Sequence, residues 1–128
     1  MVGSQAAWDR AKAAIEETYD GICTVYTYSA AKDPVTHISK MGEVALHTDI
    51  ACRISFKNNV SNNSQPSDTA SAAVQTIKLF TYPDKAIPKG SKIVVTQNGV
   101  TVAYKSSGEP LMYYTHQEII LELFDKWA

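Results

Sequence analysis

The feature that most constrains this chain is the dipeptide Asn98-Gly99, set between KIVVTQ and VTVAYK. A two-residue connection between runs rich in β-branched residues selects a type I′ turn, whose positive φ angles Asn-Gly accommodates. The segment is therefore an antiparallel hairpin. A hairpin alone leaves two edges that a stable fold must pair or cover, so the rest of the chain must supply further strands.

Several runs qualify. Residues 22–28, ICTVYTY, are β-branched and aromatic. Beyond a loop containing Asp33-Pro34, EVALHTDIACRISFK reads as one long bent strand or two short ones; Ile50, Cys52, Ile54 and Phe56 share one face, and Arg53, Ser55 and Lys57 the other. SAAVQTIKLF is a strand with Ile77 and Leu79 on one face, PDKAIPKG is a turn-rich connection, and Ser106 to Pro110 form a turn before a short strand, LMYY.

The closing THQEIILELFDKWA supports two patterns. Thr115 with Glu118 fits a helical capping box, and Ile119, Ile120, Leu123, Phe124 and Trp127 would make a helical stripe. At strand period, Ile119, Leu121 and Leu123 alternate with Glu118, Ile120 and Glu122. The need for a strand to close the sheet favours the strand.

Helical periodicity governs residues 4–20, where Trp8, Ala11, Ile15 and Tyr19 recur while Asp9, Arg10, Lys12, Glu16 and Glu17 take the other face. Ser4 is placed as the N-cap and Gly21 as the C-terminal stop. The expected fold is mainly β: an N-terminal α-helix, then a small antiparallel β-barrel of about six or seven strands over residues 22–128. A chain of 128 residues suits one such domain.

One segment does not fit a sheet. NNVSNNSQPSDTA, residues 58–70, holds four of the five asparagines with three serines and a proline. A polar connection of this length between strands is characteristically functional or disordered.

Charge adds an orientation. The net charge of -1 hides -3 over residues 1–52, +5 over 53–105 and -3 over 106–128, which sum to the total. The whole chain therefore has no pull towards nucleic acid or anionic membrane, but its surface can be polarised. The longest apolar run is too short to span a bilayer, and the N-terminus has no apolar core of a signal peptide, so the expected compartment is the cytoplasm of the producing cell.

Catalytic patterns are missing from the sequence. There is no G-x-S-x-G motif or glycine-rich phosphate loop, and Cys23, Cys52, His37, His47 and His116 have no metal-ligand spacing. The cysteines read as buried structural thiols, with a disulfide or redox role as the alternative. His116 and Glu118 would share a strand face as a surface or interface pair rather than an acid/base couple. No enzyme activity, cofactor or bound metal is expected. Tyr26, Tyr28 and Tyr104, with Lys92 and Lys105, leave open a second reading, a small barrel that stacks single-stranded nucleic acid.

The segment IPKGSKI, the Asn98-Gly99-Val100 hairpin, the closing THQEIILELFDKWA, the helix-first layout and the ACRISF strand together resemble one group. It is the head-tail connector proteins of tailed bacteriophages and prophage-derived particles, related to head-closure or stopper proteins. The resemblance implies a structural β-barrel subunit that forms a ring, commonly dodecameric, between the portal and its adaptor and the tail. Its partners would be copies of itself, portal and adaptor proteins, tail terminator or tail proteins, and packaged DNA held without sequence preference, with no membrane. The location would be the neck of the virion, after assembly in the bacterial cytoplasm.

In related stoppers a long loop between two strands projects into the channel and helps retain DNA. Carried onto this sequence, the loop is Asn58 to Ala70, with Asn58, Asn59, Asn62, Asn63, Ser64 and Asp68 as candidate channel or inter-subunit residues. Lys57, Lys78 and Lys89 are candidate contacts to DNA phosphates or to a neighbouring subunit. The helix would lie on the ring exterior or against the adaptor.

Overall fold

The computed structural model describes residues 2–59 and 74–127. One helix, α1 (Val2–Glu16), precedes seven strands: β1 (Gly21–Lys32), β2 (Ser39–Asn59), β3 (Val74–Thr81), β4 (Lys92–Gln97), β5 (Val100–Ser106), β6 (Leu111–Met112) and β7 (Gln117–Leu123). All are antiparallel in the order β3-β2-β1-β4-β5-β7-β6, and a further β3–β7 pairing closes the sheet on itself. The mainly β chain expected from the sequence, helix first and sheet after, is what forms.

The Asn98-Gly99 hairpin is as the dipeptide dictates, with φ of 55° and 76° at the two residues and Gln97 opposite Val100. The C-terminal segment is a strand. β7 pairs with β3 from Gln117 to Leu121 and with β5 from Leu121 to Leu123, so it is the stave that joins the two ends of the sheet. Closure removes most of the free edges that the hairpin created.

Residues 43–57 belong to one long bent strand. Between the Cys23–Ile50 and Tyr26–Ala45 pairs β2 carries two more residues than β1, and Asp49 within this bulge has a φ of 50°. The Asp49 amide donates to Thr24 Oγ1 at 3.2 Å, which ties the irregular turn of backbone to its neighbour. The bulge bends β2 around the sheet.

The interior is filled by alternate residues of the strands. Val25, Cys52, Leu79, Ile93 and Ile119 are fully buried, and Ile87 closes one end from the β3–β4 connection. Cys23 and Cys52 are free thiols within this core; a hydrogen bond between them and burial both push the Cys23 thiol up, so it stays protonated. Gln117 is also fully buried, and its amide donates to the carbonyls of Tyr82 and Lys85, holding the turn that carries Ile87.

Gly21 does not stop the helix. It begins β1 where a Cβ would meet Gln97 Oε1 at 3.1 Å, the Thr96 carbonyl at 3.2 Å and the Cys52 carbonyl at 3.3 Å. The space spared lets the Gln97 side chain cross to β2, where Oε1 accepts from the Ile54 amide at 2.8 Å and Nε2 donates to the Ile54 carbonyl at 3.2 Å. A side chain thus pairs backbone groups that no strand reaches there.

The helix departs from expectation in other ways. It begins before Ser4, so Ser4 is no N-cap, and it ends at Glu16, where the Thr18 amide and hydroxyl both return to the Ile15 carbonyl. Its stripe does not enter the core: Trp8 remains 54 % exposed and rests on Tyr114, whose hydroxyl accepts from Gln5 and donates to Asp9. Tyr113 and Tyr114 lie beyond β6, which keeps only Leu111 and Met112 of the expected LMYY strand. The Tyr19 hydroxyl is buried against Tyr82, and burial pushes its pKa up to about 12.

Candidate functional site

β1 and β2 continue past the closed sheet. The β1–β4 pairing ends at Tyr26–Lys92, whereas β1 and β2 remain paired through Tyr28–Glu43 and Ala30–Met41 to Lys32–Ser39. Residues 27–44 are therefore a two-stranded arm, extending beyond the β4 pairing by about 20 Å at the usual strand rise. An isolated ribbon of this kind is marginal in water unless something braces or covers it.

The base of the arm is braced. Tyr28 packs against Trp127 with ring centres 5.2 Å apart, and Glu43 accepts from Lys92 Nζ at 2.7 Å and from Trp127 Nε1 at 3.2 Å. Those hydrogen bonds, the lysine's first, hold the Glu43 carboxyl below its ordinary range. Lys92 also sits over the Phe124 ring, 4.9 Å from its centre. Among the described residues none braces the tip in this way, and Val35 and Ile38 are 83 % and 62 % exposed.

Its turn is nevertheless well defined. Asp33 Oδ1 accepts from the Val35 amide at 2.8 Å and the Thr36 amide at 3.4 Å, the His37 amide donates to the Asp33 carbonyl, and His37 takes a φ of 61°. The two backbone donors keep the Asp33 carboxyl below its ordinary range.

Beside the arm's base is an open groove of about 640 Å³, bordered by Tyr28, Trp127, Lys89, Lys105, Ser107 and Glu122. At the other end of β4 the interior face of the sheet opens as a second recess of about 250 Å³. Its walls are Ile54, Phe56, Val95, Val100, Val102 and Tyr104. Phe56 continues the buried face of Cys52 and Ile54, as alternation predicts, but lies at the open end and is 54 % exposed.

The candidate lysines are not gathered into one patch. Lys57 pairs with Thr76 near the start of β3, whereas Lys89 lies past its end, in the groove. Lys78 lies between them and bonds Glu118 at 3.4 Å. Asn58 and Asn59 belong to β2, opposite Gln75 and Val74, so the strand runs two residues into the segment that the sequence assigns to the loop. Asn62, Asn63, Ser64 and Asp68 lie outside the described residues.

His116 and Glu118 do share a face, with Nε2 donating to Glu118 Oε2 at 2.9 Å. Thr115 Oγ1 is 2.7 Å from Nδ1, and the ring stacks on Tyr113 with centres 4.9 Å apart. Burial raises the Glu118 carboxyl, but the hydrogen bonds and charges of His116 and Lys78 outweigh it and leave the group below its ordinary range. The arrangement pins the β6–β7 turn to the sheet.

The tyrosine platform does not assemble. Tyr104 faces the interior, whereas Tyr26 and Tyr28 lie on the face of β1 opposite buried Val25. The sequence reading also missed the arm. Its only signals were Tyr28, Val35, Ile38 and Met41 flanking a turn, which look the same as a strand within a sheet.

No protein-family model and no curated protein matches the chain. A solved structure, that of the phage-like element PBSX protein xkdH from Bacillus subtilis, is similar to 80 % of this chain and 91 % of its own, with 12 % sequence identity and a TM-score of 0.48.

Proposed function

We propose that this chain is a structural subunit of a phage or prophage particle, a head-tail connector of the head-closure type that assembles as a ring between portal or adaptor and tail. The observation that carries this reading is the arm: a ribbon with backbone edges that no other described strand pairs and with exposed apolar side chains, projecting from an otherwise closed sheet. Free edges and exposed apolar groups are liabilities in a protein that works alone, and they are interfaces in one that assembles. The sequence resemblance to connector proteins supplies the context. In this reading the chain acts through contacts with copies of itself, portal or adaptor proteins and tail proteins, and has no catalytic role.

Packaged DNA would meet lysines such as Lys89 at the groove, without sequence preference. Particles assembled without this protein are expected to lose packaged DNA and fail to join tails, and added protein is expected to restore both. Particles that retain DNA and join tails equally well without it would overturn the proposal. Replacing residues 60–70 with a short turn is expected to leave folding intact and reduce DNA retention.

The groove also supports a second reading, since Tyr28, Trp127, Lys89 and Lys105 border one open cleft. Single-stranded DNA binding there would weaken steeply with salt and with Lys89→Ala and Lys105→Ala. Absence of binding at low salt removes this reading without touching the first.

A further inference from the structure

We propose that the arm tip of one copy, led by Val35 and Ile38, inserts into the apolar recess of the next, giving a head-to-tail contact. The inference rests on the reading of the chain as an assembling subunit and names the surfaces that assembly would use. Tip and recess are two exposed apolar features on one chain, and they lie at opposite ends of β4. The arm departs where Tyr26 pairs with Lys92, whereas the recess opens beside Gln97, Asn98 and Val100. Since the arm points away from its own recess, only another molecule can bring the two together.

Shape and charge suit a second copy. The recess, about 250 Å³, is larger than the roughly 150 Å³ apolar cavity that accepts a benzene-sized group, so it has room for a branched aliphatic side chain. Asp33 closes the turn of the tip, its carboxyl kept below its ordinary range by the turn's backbone donors, with Lys32 and Lys40 on the adjoining stems. Arg53 and Lys57 lie exposed on β2, alternating with Ile54 and Phe56 of the recess wall, so the strand that forms this rim carries charge opposite to that of Asp33. A contact between two different surfaces is heterologous, and its repetition does not stop at a two-fold pair but gives a ring where the rotation between copies closes.

The test is analytical ultracentrifugation of the full chain across a concentration series, with two variants and their mixture. Wild type is expected to form species larger than a dimer. Val35→Asp combined with Ile38→Asp, and separately Val100→Lys at the recess, are each expected to weaken association by more than about tenfold, the loss of a central apolar anchor. All three positions are exposed, and circular dichroism is expected to show the wild-type fold in both variants.

An equimolar mixture of the two variants is expected to stop at a dimer, because the sound tip of one enters the sound recess of the other and nothing remains to extend it. A mixture that stays monomeric overturns the proposal, as does wild type that stays monomeric throughout. Undiminished assembly by the tip variant overturns it too, while leaving the connector reading to the particle experiment. Loss of assembly in Val100→Lys alone assigns the recess to another occupant and also overturns it.

Discussion

The closed sheet and the arm are made from the same two strands, yet they obey different rules. Within the sheet, β1 has β2 on one side and β4 on the other from Gly21 to Tyr26, β2 passes from β1 to β3 at Cys52, and every second residue, such as Val25 or Cys52, enters the core. Past Tyr26 the same strands pair only with each other among the described residues, and residues of either parity meet solvent. Strand propensity continues across this border, but the burial that normally stabilises a strand does not. Stability thus resides in the closed sheet, and the arm is left free for recognition.

That division predicts a steep gradient of mutational effects. Leu79→Ala removes a fully buried side chain from the sheet interior and is expected to cost about 3 kcal/mol in chemical denaturation. A loss no larger than that of an arm substitution would break the comparison. Gly21→Val is next, at about 2 kcal/mol, because the new side chain must displace Gln97 and leave the Ile54 backbone without its partner. If Gln97→Ala is equally damaging and the two losses do not add, the bridge is confirmed as their shared cause.

Gly99→Val is expected to cost about 1 to 2 kcal/mol, since a β-branched residue must adopt positive φ. An unchanged melting temperature would place the turn outside the cooperative unit. Glu118 gives a smaller, pH-dependent effect. Its carboxyl is depressed in the folded state, so its contribution is fully present above the ordinary carboxylate range and is lost as pH falls through the lower folded value. Glu118→Gln is expected to flatten the acid limb of the stability curve, and an unaltered limb would show that the Lys78 and His116 contacts contribute nothing. Val35→Asp at the tip is expected to change stability by less than about 0.5 kcal/mol. A larger loss would show that the arm folds as part of the sheet.

Much of this fold is legible in the residues. Asn98-Gly99 determines a turn through backbone sterics alone, and the alternation of Ile119, Leu121 and Leu123 marks the C-terminal segment as a strand despite its capping-box signal. Both are local facts. The inward face of Cys52, Ile54 and Phe56 is equally plain, because strand side chains alternate whatever the neighbours do.

Tertiary structure decided what those faces meet. Phe56 belongs to the buried row by parity but lines an open recess, and Trp8 belongs to an amphipathic stripe but rests on Tyr114 outside the core. Gly21, which has the sequence signature of a helix stop, is kept small by the passage of Gln97 across it. The candidate lysines were identifiable by charge, but their separation along the sheet depended on register. By itself the sequence determined which segments are strands, where they turn and which faces are apolar, since steric and solvation preferences act within a few residues. Only closure of the sheet decided that 27–44 would stand clear as an arm opposite an apolar recess, because that depends on where pairing between distant strands ends.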